Sequence, residues 1–322
     1  MGINIRMRGQ AKQWGKPTTL TIVYKPSQNK WFASITVDVP VLEPKFGSQS
    51  SLEHQKIIAF DLGCETALTT FDGEKFELFE NPKFTKKSEE KIRKASKQLR
   101  RKRAPNKAKK IKASNRWKKA RKRVSKLQAL VATQRKDWQH KVTSDIASRY
   151  DIGVTEKLET KKMTKKAKKG SKRKKQKAGL NKSILSVGFG ALNQMIAYKI
   201  EQKGGLMLIL PTKKIKPSQR CPKFGKVHKD WAELSNRYHV CSKCKFEIQR
   251  DKGSVMVMYN VATGQQPGCG MRLEDCGCSS STDSTKKRKQ TGSMKQLGQK
   301  KRQSSKAKVD GVAETPSADA AG

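Results

Sequence analysis

The chain has 322 residues, 73 Lys plus Arg against 27 Asp plus Glu, and a formal net charge of +46. Self-repulsion on that scale opposes a compact state unless a polyanion offsets it, so the partner is a phosphate backbone, an acidic membrane or an acidic protein. Neither a signal-peptide core nor a run of about 18 apolar residues is present, so membrane insertion is not expected and nucleic acid is the expected partner. A hydrophobic content of 34% suffices for one core of ordinary size. Seven cysteines without a secretory signal argue for a reducing cytosol, where clustered thiols are more often metal ligands than disulfides.

Thr18 to Tyr24 and Trp31 to Val39 are β-branched and aromatic runs around Pro26-Ser27-Gln28-Asn29, the pattern of a β-hairpin. Ile57 to Asp61 is apolar enough for a central strand, and Thr66 to Phe71 and Lys75 to Phe79 flank the turn dipeptide Asp72-Gly73. From Lys86 to Ser148 the period changes to that of a helix. Val124, Leu127, Val131, Trp138, Val142 and Ile146 make one apolar face, and Pro105-Asn106 divides the region into two helices. The other faces carry a cationic rail: Lys97, Arg100, Arg101, Lys102, Arg103, Lys107, Lys109, Lys110 and Lys112.

Tyr150 to Lys157 reads as a further strand ending in an acid, and the Lys-rich stretch from Lys161 to Lys177 as a mobile loop. Ser183 opens a helix with Leu185, Phe189, Leu192, Ile196 and Ile200 on one face, stopped by Gly204-Gly205; Leu206 to Leu210 is a short buried strand. Cys221 to Cys244 has the look of a small inserted metal knuckle, with Asp251 close behind. Beyond Gly264 the composition predicts a disordered basic tail. The order β-β-β-α-β-α-β followed by a terminal helix predicts an α/β protein, a mixed sheet with helices packed on it.

Asp61 and Glu156 each close an apolar strand, and Asp251 starts the last helix. An acid at the end of a buried strand is costly unless it is paired or binds a cation. Three such acids can hold two Mg²⁺, hard ions that take oxygen ligands and clamp the attacking and leaving oxygens of a phosphodiester displacement. Each acid alone reads more readily as a capping or salt-bridged carboxylate, with Lys157, Arg250 and Lys252 at hand; the order of all three shifts the balance toward metal. No Ser/His/Asp arrangement competes.

The chain resembles the TnpB family, transposon-encoded relatives of the type V CRISPR nucleases. Phe60-Asp61-Leu62-Gly63, Glu80-Asn81-Pro82-Lys83, Gln134-Arg135-Lys136-Asp137 with His140-Lys141, and Thr155-Glu156-Lys157-Leu158 carry the resemblance, with Pro217-Ser218, Cys221, Cys241-Ser242-Lys243-Cys244 and Arg250-Asp251. They extend over about residues 15 to 262. The resemblance implies a RuvC-like RNase H fold with Asp61, Glu156 and Asp251 as its Mg²⁺-binding catalytic triad. It implies an RNA-guided DNA endonuclease, of the kind often named a transposase, whose guide RNA comes from the element's own end. It also implies a place in the prokaryotic cytoplasm at the nucleoid. The candidate nucleic-acid contacts are Arg100, Arg101, Lys102, Arg103, Lys109, Lys110, Arg116, Arg121 and Arg135.

The same resemblance divides the chain into a remnant of an N-terminal β-rich domain (1–55), a nuclease core (56–216) with basic helices (86–148), a zinc-ribbon-like knuckle (217–248), a final helix (249–263) and the tail (264–322). Three features depart from the family. The first Cys-x-x-Cys reads Cys221-Pro222-Lys223-Phe224, so a Zn²⁺ held by Cys221, Cys241 and Cys244 needs its fourth ligand from His228 or His239. Gly253 stands early in the Asp251 helix, at a cost of roughly 1 kcal/mol relative to Ala. Only about 56 residues precede the Asp61 strand, fewer than the family's usual N-terminal lobe. A catalytically inactive relative that only binds RNA or DNA is therefore the competing expectation. A ribosome-associated basic protein is a weaker one, since it has no use for acids at strand ends.

Overall fold

The computed structural model describes residues 15–26, 29–38, 55–168, 170–233, 235–264 and 279–280. β1 (Lys16–Lys25) and β2 (Lys30–Asp38) form the expected antiparallel hairpin, with Leu20 opposite Ile35 and Tyr24 opposite Trp31. Asn29 closes its turn at a φ of 54°, a left-handed conformation that Asn tolerates better than most residues. Ser27, Gln28 and Val39 lie outside the described residues, as does the predicted basic tail apart from Gly264 and Ser279–Ser280.

The main sheet starts as a meander of β3 (Ile57–Asp61), β4 (Thr66–Phe71) and β5 (Phe76–Glu80), antiparallel throughout. Gly63 makes the first turn possible, because a Cβ there would lie 2.4 Å from the Thr66 carbonyl oxygen. In the second turn the Asp72 carboxylate accepts from the N–H groups of Glu74 and Lys75 at 3.0 and 2.8 Å, and Gly73 takes a φ of 105°. Two basic helices follow, α1 (Phe84–Arg100) and α2 (Asn115–Arg149), separated where Pro105-Asn106 predicts the break. Ser114 caps α2, its hydroxyl accepting from the Trp117 N–H at 3.1 Å, a contact whose loss costs about 1 kcal/mol. Val124, Val131, Val142 and Ile146 are buried on the predicted face of α2.

β6 (Ile152–Glu156) then pairs parallel with β3, and β7 (Leu206–Leu210) parallel with β6. The order is β7-β6-β3-β4-β5, with Ser279–Ser280 pairing antiparallel along the outer edge of β7. Alternation along the strands sends successive side chains to opposite faces. Ile58, Phe60 and Met207 join Val142 and Ile146 of α2 in one cluster. Ala59, Ile152, Val154, Leu208 and Leu210 face Val255, Val257, Met258 and Val261 of the last helix in another. Each of these fully buried aliphatic or aromatic side chains contributes about 1.5–3 kcal/mol.

Two expectations for the segment between β6 and β7 are corrected. The stretch read as a mobile loop holds a short helix, α3 (Thr160–Met163), and the first turn of α4 (Lys174–Val187). Lys177 supplies the missing tie, its ammonium donating to the Met163 carbonyl at 2.5 Å. The single helix expected from Ser183 is two, α4 and α5 (Phe189–Glu201), broken at Gly188 with a φ of 79°. A Cβ at Gly188 would sit 2.7 Å from the Gln139 amide, which donates to the Val187 carbonyl at 2.7 Å. Leu185 lies on the far side of that break and is 61% exposed, not part of the buried face.

After β7 come α6 (Thr212–Ile215), the Cys-bearing segment with its small hairpin of β8 (Tyr238–Val240) and β9 (Glu247–Gln249), and α7 (Arg250–Thr263). The architecture is mixed α/β, with α2 and α5 on one face of the sheet and α7 on the other. No helix among the described residues is long and apolar enough to cross a membrane.

Candidate functional site

The β3–β6 register pairs Ile57 with Ile152 and Ala59 with Val154, an offset of 95 residues in each pair. Carried to the strand ends, that offset places Asp61 beside Glu156. Both share the parity of Ala59 and Val154, so both project toward the face covered by α7. Asp251 lies in the first turn of that helix, where a carboxylate also favours the positive end of the helix dipole. Gly253 does not unwind the turn. It is buried, and a Cβ there would meet Ile248 Cγ2 at 3.2 Å, so the glycine lets α7 approach the end of β9.

Burial, and then the charges of Glu156 and Asp251, push the Asp61 carboxyl up to about 8. The Leu62 N–H, which donates to Asp61 Oδ1 at 2.8 Å, and the nearby Arg250 charge pull the other way. Glu156 is also raised by burial, against a hydrogen bond from Thr212 and the charge of Arg250. A buried carboxyl raised by two acidic neighbours belongs to a donor set suited to a hard divalent cation. Arg250 is one of the basic neighbours that the sequence offers, whereas Thr212 escaped the sequence reading, its only signal being its place two residues after β7.

The predicted basic contacts divide in two. Arg100, Arg101, Lys102, Arg103, Lys109, Lys110, Arg116 and Arg121 are exposed on α1, on α2 and on the loop between them. Arg121 lies over the Trp117 ring at 5.1 Å. Arg135 is turned inward, its guanidinium donating to the Leu185 and Ser186 carbonyls at 3.1 and 3.4 Å. It satisfies the open carbonyl end of α4, a structural task that its position on a Lys/Arg-rich helix does not reveal.

The thiols form a second cluster. Among the described residues, the only trio of His, Cys, Asp or Glu whose ligand atoms lie within 4.8 Å of one another is Cys221, Cys241 and Cys244. The sulfurs of Cys221 and Cys244 are 3.6 Å apart, and His228 Nε2 is 3.4 Å from Cys241 Sγ. Burial pushes the Cys221 thiol up to about 11. At Cys241 burial acts in the same sense but is outweighed by the N–H groups of Cys244 and Lys243 and by the Cys244 and His228 side chains, which bring it to about 6. Of the two histidines considered as fourth ligand, His228 is the one in contact with a thiol. Both imidazoles stack on Trp231, with centroids 4.3 Å away in each case. Cys269, Cys276 and Cys278 lie outside the described residues.

Residues 34–167 match the OrfB_IS605 family, described as a probable transposase, and residues 189–257 match the Cas12f1-like TNB domain. Both matches fall within the residues that carry the resemblance to the TnpB family. It is 28% identical over 251 residues to the "Putative RNA-guided DNA endonuclease InsQ" of Escherichia coli (strain K12), a match covering 77% of this chain and 57% of that relative. The chain thus spans little more than half the length of the curated relative it matches. Two cryo-EM structures are also similar. A CRISPR-Cas12f ternary complex matches at 19% identity and a TM-score of 0.42, over 71% of this chain and 42% of its own. A Cas12f1-sgRNA-target DNA complex matches at 18% identity and a TM-score of 0.47, over 74% and 44%.

Proposed function

We propose that this chain carries the nuclease core of an RNA-guided, divalent-metal-dependent DNA endonuclease, with Asp61, Glu156 and Asp251 as its metal-binding carboxylates. The observation that carries the reading is the parallel β3–β6 register, which ends both strands in a carboxylate on the face covered by α7, with Asp251 in the first turn of that helix. The charges of Glu156 and Asp251 push the Asp61 carboxyl up, an arrangement that a bound cation relieves. A meander of three strands extended by two parallel ones, with helices on both faces, supports reading the core as a RuvC-like RNase H fold. Residues 56–216 and 249–263 are then the nuclease and 217–248 an inserted zinc knuckle.

Bound at these carboxylates, two Mg²⁺ would supply Lewis-acid polarisation of the scissile phosphate and a nucleophilic water at neutral pH. The protein's own groups set the rest. Asp61 and Glu156 are fixed by strand register, Thr212 donates its hydroxyl to the Lys157 carbonyl at 3.3 Å beside Glu156 and lowers the Glu156 carboxyl, and Asp251 is delivered by α7. Arg250 offsets part of the negative charge of the cluster. The exposed cations from Arg100 to Arg121 grip nucleic-acid backbone, so that sequence is read by base pairing to a guide while the protein holds the phosphates. Such a protein works in the cytoplasm of a prokaryote, at its nucleoid.

The test is DNA cleavage in Mg²⁺ by the protein co-expressed with RNA from its gene's 3′ flank, beside Asp61→Ala. The expected result is cleavage by the wild type alone, with equal RNA retained by both proteins. RNA retention without cleavage by either would favour the inactive nucleic-acid binder.

A further inference from the structure

The two Cys-bearing turns are built on one hydrogen-bond plan. In the first, the Cys221 N–H donates to the Lys226 carbonyl at 2.9 Å and the Gly225 N–H returns to the Cys221 carbonyl at 2.8 Å. In the second, the Cys241 N–H donates to Phe246 at 3.0 Å and the Lys245 N–H returns to Cys241 at 2.9 Å. The equivalent residues Gly225 and Lys245 both take positive φ, 77° and 57°. Phe224 therefore occupies in the first turn the place that Cys244 occupies in the second. Its N–H still donates to Cys221 Sγ at 3.3 Å, but its ring is 52% exposed. The first turn retains the backbone of a ligand-bearing knuckle and lacks one donor.

His228 stands where a replacement donor is needed. It is 6% exposed, anchored by its N–H to the Gln219 carbonyl at 2.8 Å, and held flat against buried Trp231 at an interplanar angle of 14°. Bond lengths of about 2.3 Å to sulfur and 2.0–2.1 Å to nitrogen give tetrahedral edges of roughly 3.8 Å for S···S and 3.5 Å for S···N. Two of the six edges, 3.6 Å between Cys221 and Cys244 and 3.4 Å between Cys241 and His228 Nε2, are already of that size; the three sulfurs alone lie within 4.8 Å of one another, so the imidazole has to close on Cys221 and Cys244 when the ion binds. His239 is equally buried and also lies on Trp231, yet its Nε2 has no partner and it makes no contact with a thiol.

We propose that His228 Nε2 is the fourth ligand of a structural Zn²⁺ held by Cys221, Cys241 and Cys244, a Cys₃His centre in which an imidazole from the following loop replaces a thiol at position 224. His239 is left as a packing partner of Trp231. The inference rests on the zinc reading of the thiol cluster and is independent of whether the chain cuts DNA. Zinc would join the two knuckles across a segment that has otherwise only the small core of Cys221, Trp231 and Cys241.

The experiment uses the full chain purified under reducing conditions. Zinc is measured by metal analysis and chelator competition, and the donor set by visible absorption after Co²⁺ substitution. The wild type is expected to hold about one equivalent of zinc. His228→Ala should weaken binding by at least about tenfold and shift the cobalt bands, while His239→Ala keeps both. Phe224→Cys added to His228→Ala should restore tight binding with a more thiolate-rich spectrum, as should His228→Cys alone; these two keep the test informative should the alanine variant unfold. A His228→Ala protein with wild-type zinc affinity and spectrum would overturn the assignment. A wild type that binds no zinc would instead overturn the zinc reading beneath it.

Discussion

Asp61 closes β3 as Glu156 closes β6, and the parallel pairing of Ala59 with Val154 brings the two carboxylates together on the face covered by α7. Their proximity makes stability depend on pH and on cations. Asp61 titrates near 8 in the folded chain against 3.8 in an unfolded one, so the folded state binds the proton more tightly. Stability of the metal-free protein should therefore fall as pH rises from about 4 to about 8. Asp61→Asn removes that loss and should stabilise metal-free protein at pH 8 by about 1–2 kcal/mol. Thermal denaturation at pH 5 and 8 in EDTA checks this. Added Mg²⁺ should then raise the wild-type Tm and leave the variant's unchanged.

The last residue of α2 is tied to the edge of the sheet. Arg149 donates through both terminal nitrogens to the Glu77 carboxylate, at 2.7 Å each, and also to Asp145. The hydrogen bonds from Arg149 hold the Glu77 carboxyl below its ordinary 4.5. Its contribution is fully present above pH 4.5 and disappears as pH falls through the depressed value. Since both side chains are more than a third exposed, Glu77→Gln should cost only about 0.5–1 kcal/mol at pH 7. Urea denaturation at pH 7 and pH 3 would read the difference, which should shrink at the lower pH.

Charge on α1 and α2 is divided between binding and structure. Replacing Arg100, Arg101, Lys102 and Arg103 by Gln should reduce the slope of log affinity against log salt by up to about 3, without lowering Tm. Arg135→Gln should do the reverse, lowering Tm through the lost bonds to Leu185 and Ser186 while the salt slope holds. Binding titrations at several salt concentrations, paired with thermal melts, separate the two. Equal slopes for the wild type and the fourfold variant would mean that this rail does not face nucleic acid.

At Gly253 two effects of similar size compete. Alanine gains about 1 kcal/mol of helix propensity, but its Cβ would press on Ile248 Cγ2 at 3.2 Å. That methyl sits on the branched β-carbon and moves only with χ1, so Gly253→Ala should stabilise by no more than about 0.5 kcal/mol, rising toward about 1 kcal/mol when combined with Ile248→Leu, which removes the β-branch. A destabilisation in chemical denaturation would show the α7–β9 contact to be rigid, with the glycine required there.

Local elements were legible because their signals are local. Alternating apolar residues, Asp72-Gly73, Pro105-Asn106 and the α2 face from Val124 to Ile146 each report burial or backbone preference within one turn or strand. So were the acids at strand ends, since a carboxylate after an apolar run conflicts with burial wherever the strand pairs. The boundary at Gly188 was missed because the apolar period runs unbroken across it; only the Gln139 amide packed against that residue decides where the helix stops. Likewise Arg135 reads as one more cation until α4 presents its carbonyl end.

By itself, then, the sequence determined the cationic excess that calls for a polyanion, the mixed α/β order and the residue types able to bind metal. Tertiary structure alone decided which of them meet. Asp61 and Glu156 are 95 residues apart in the chain, and His228 competes with His239 across a turn whose path no periodicity encodes. Strand register and ring stacking are long-range packing outcomes, and they fix side-chain distances to ångströms where residue identity fixes only chemistry.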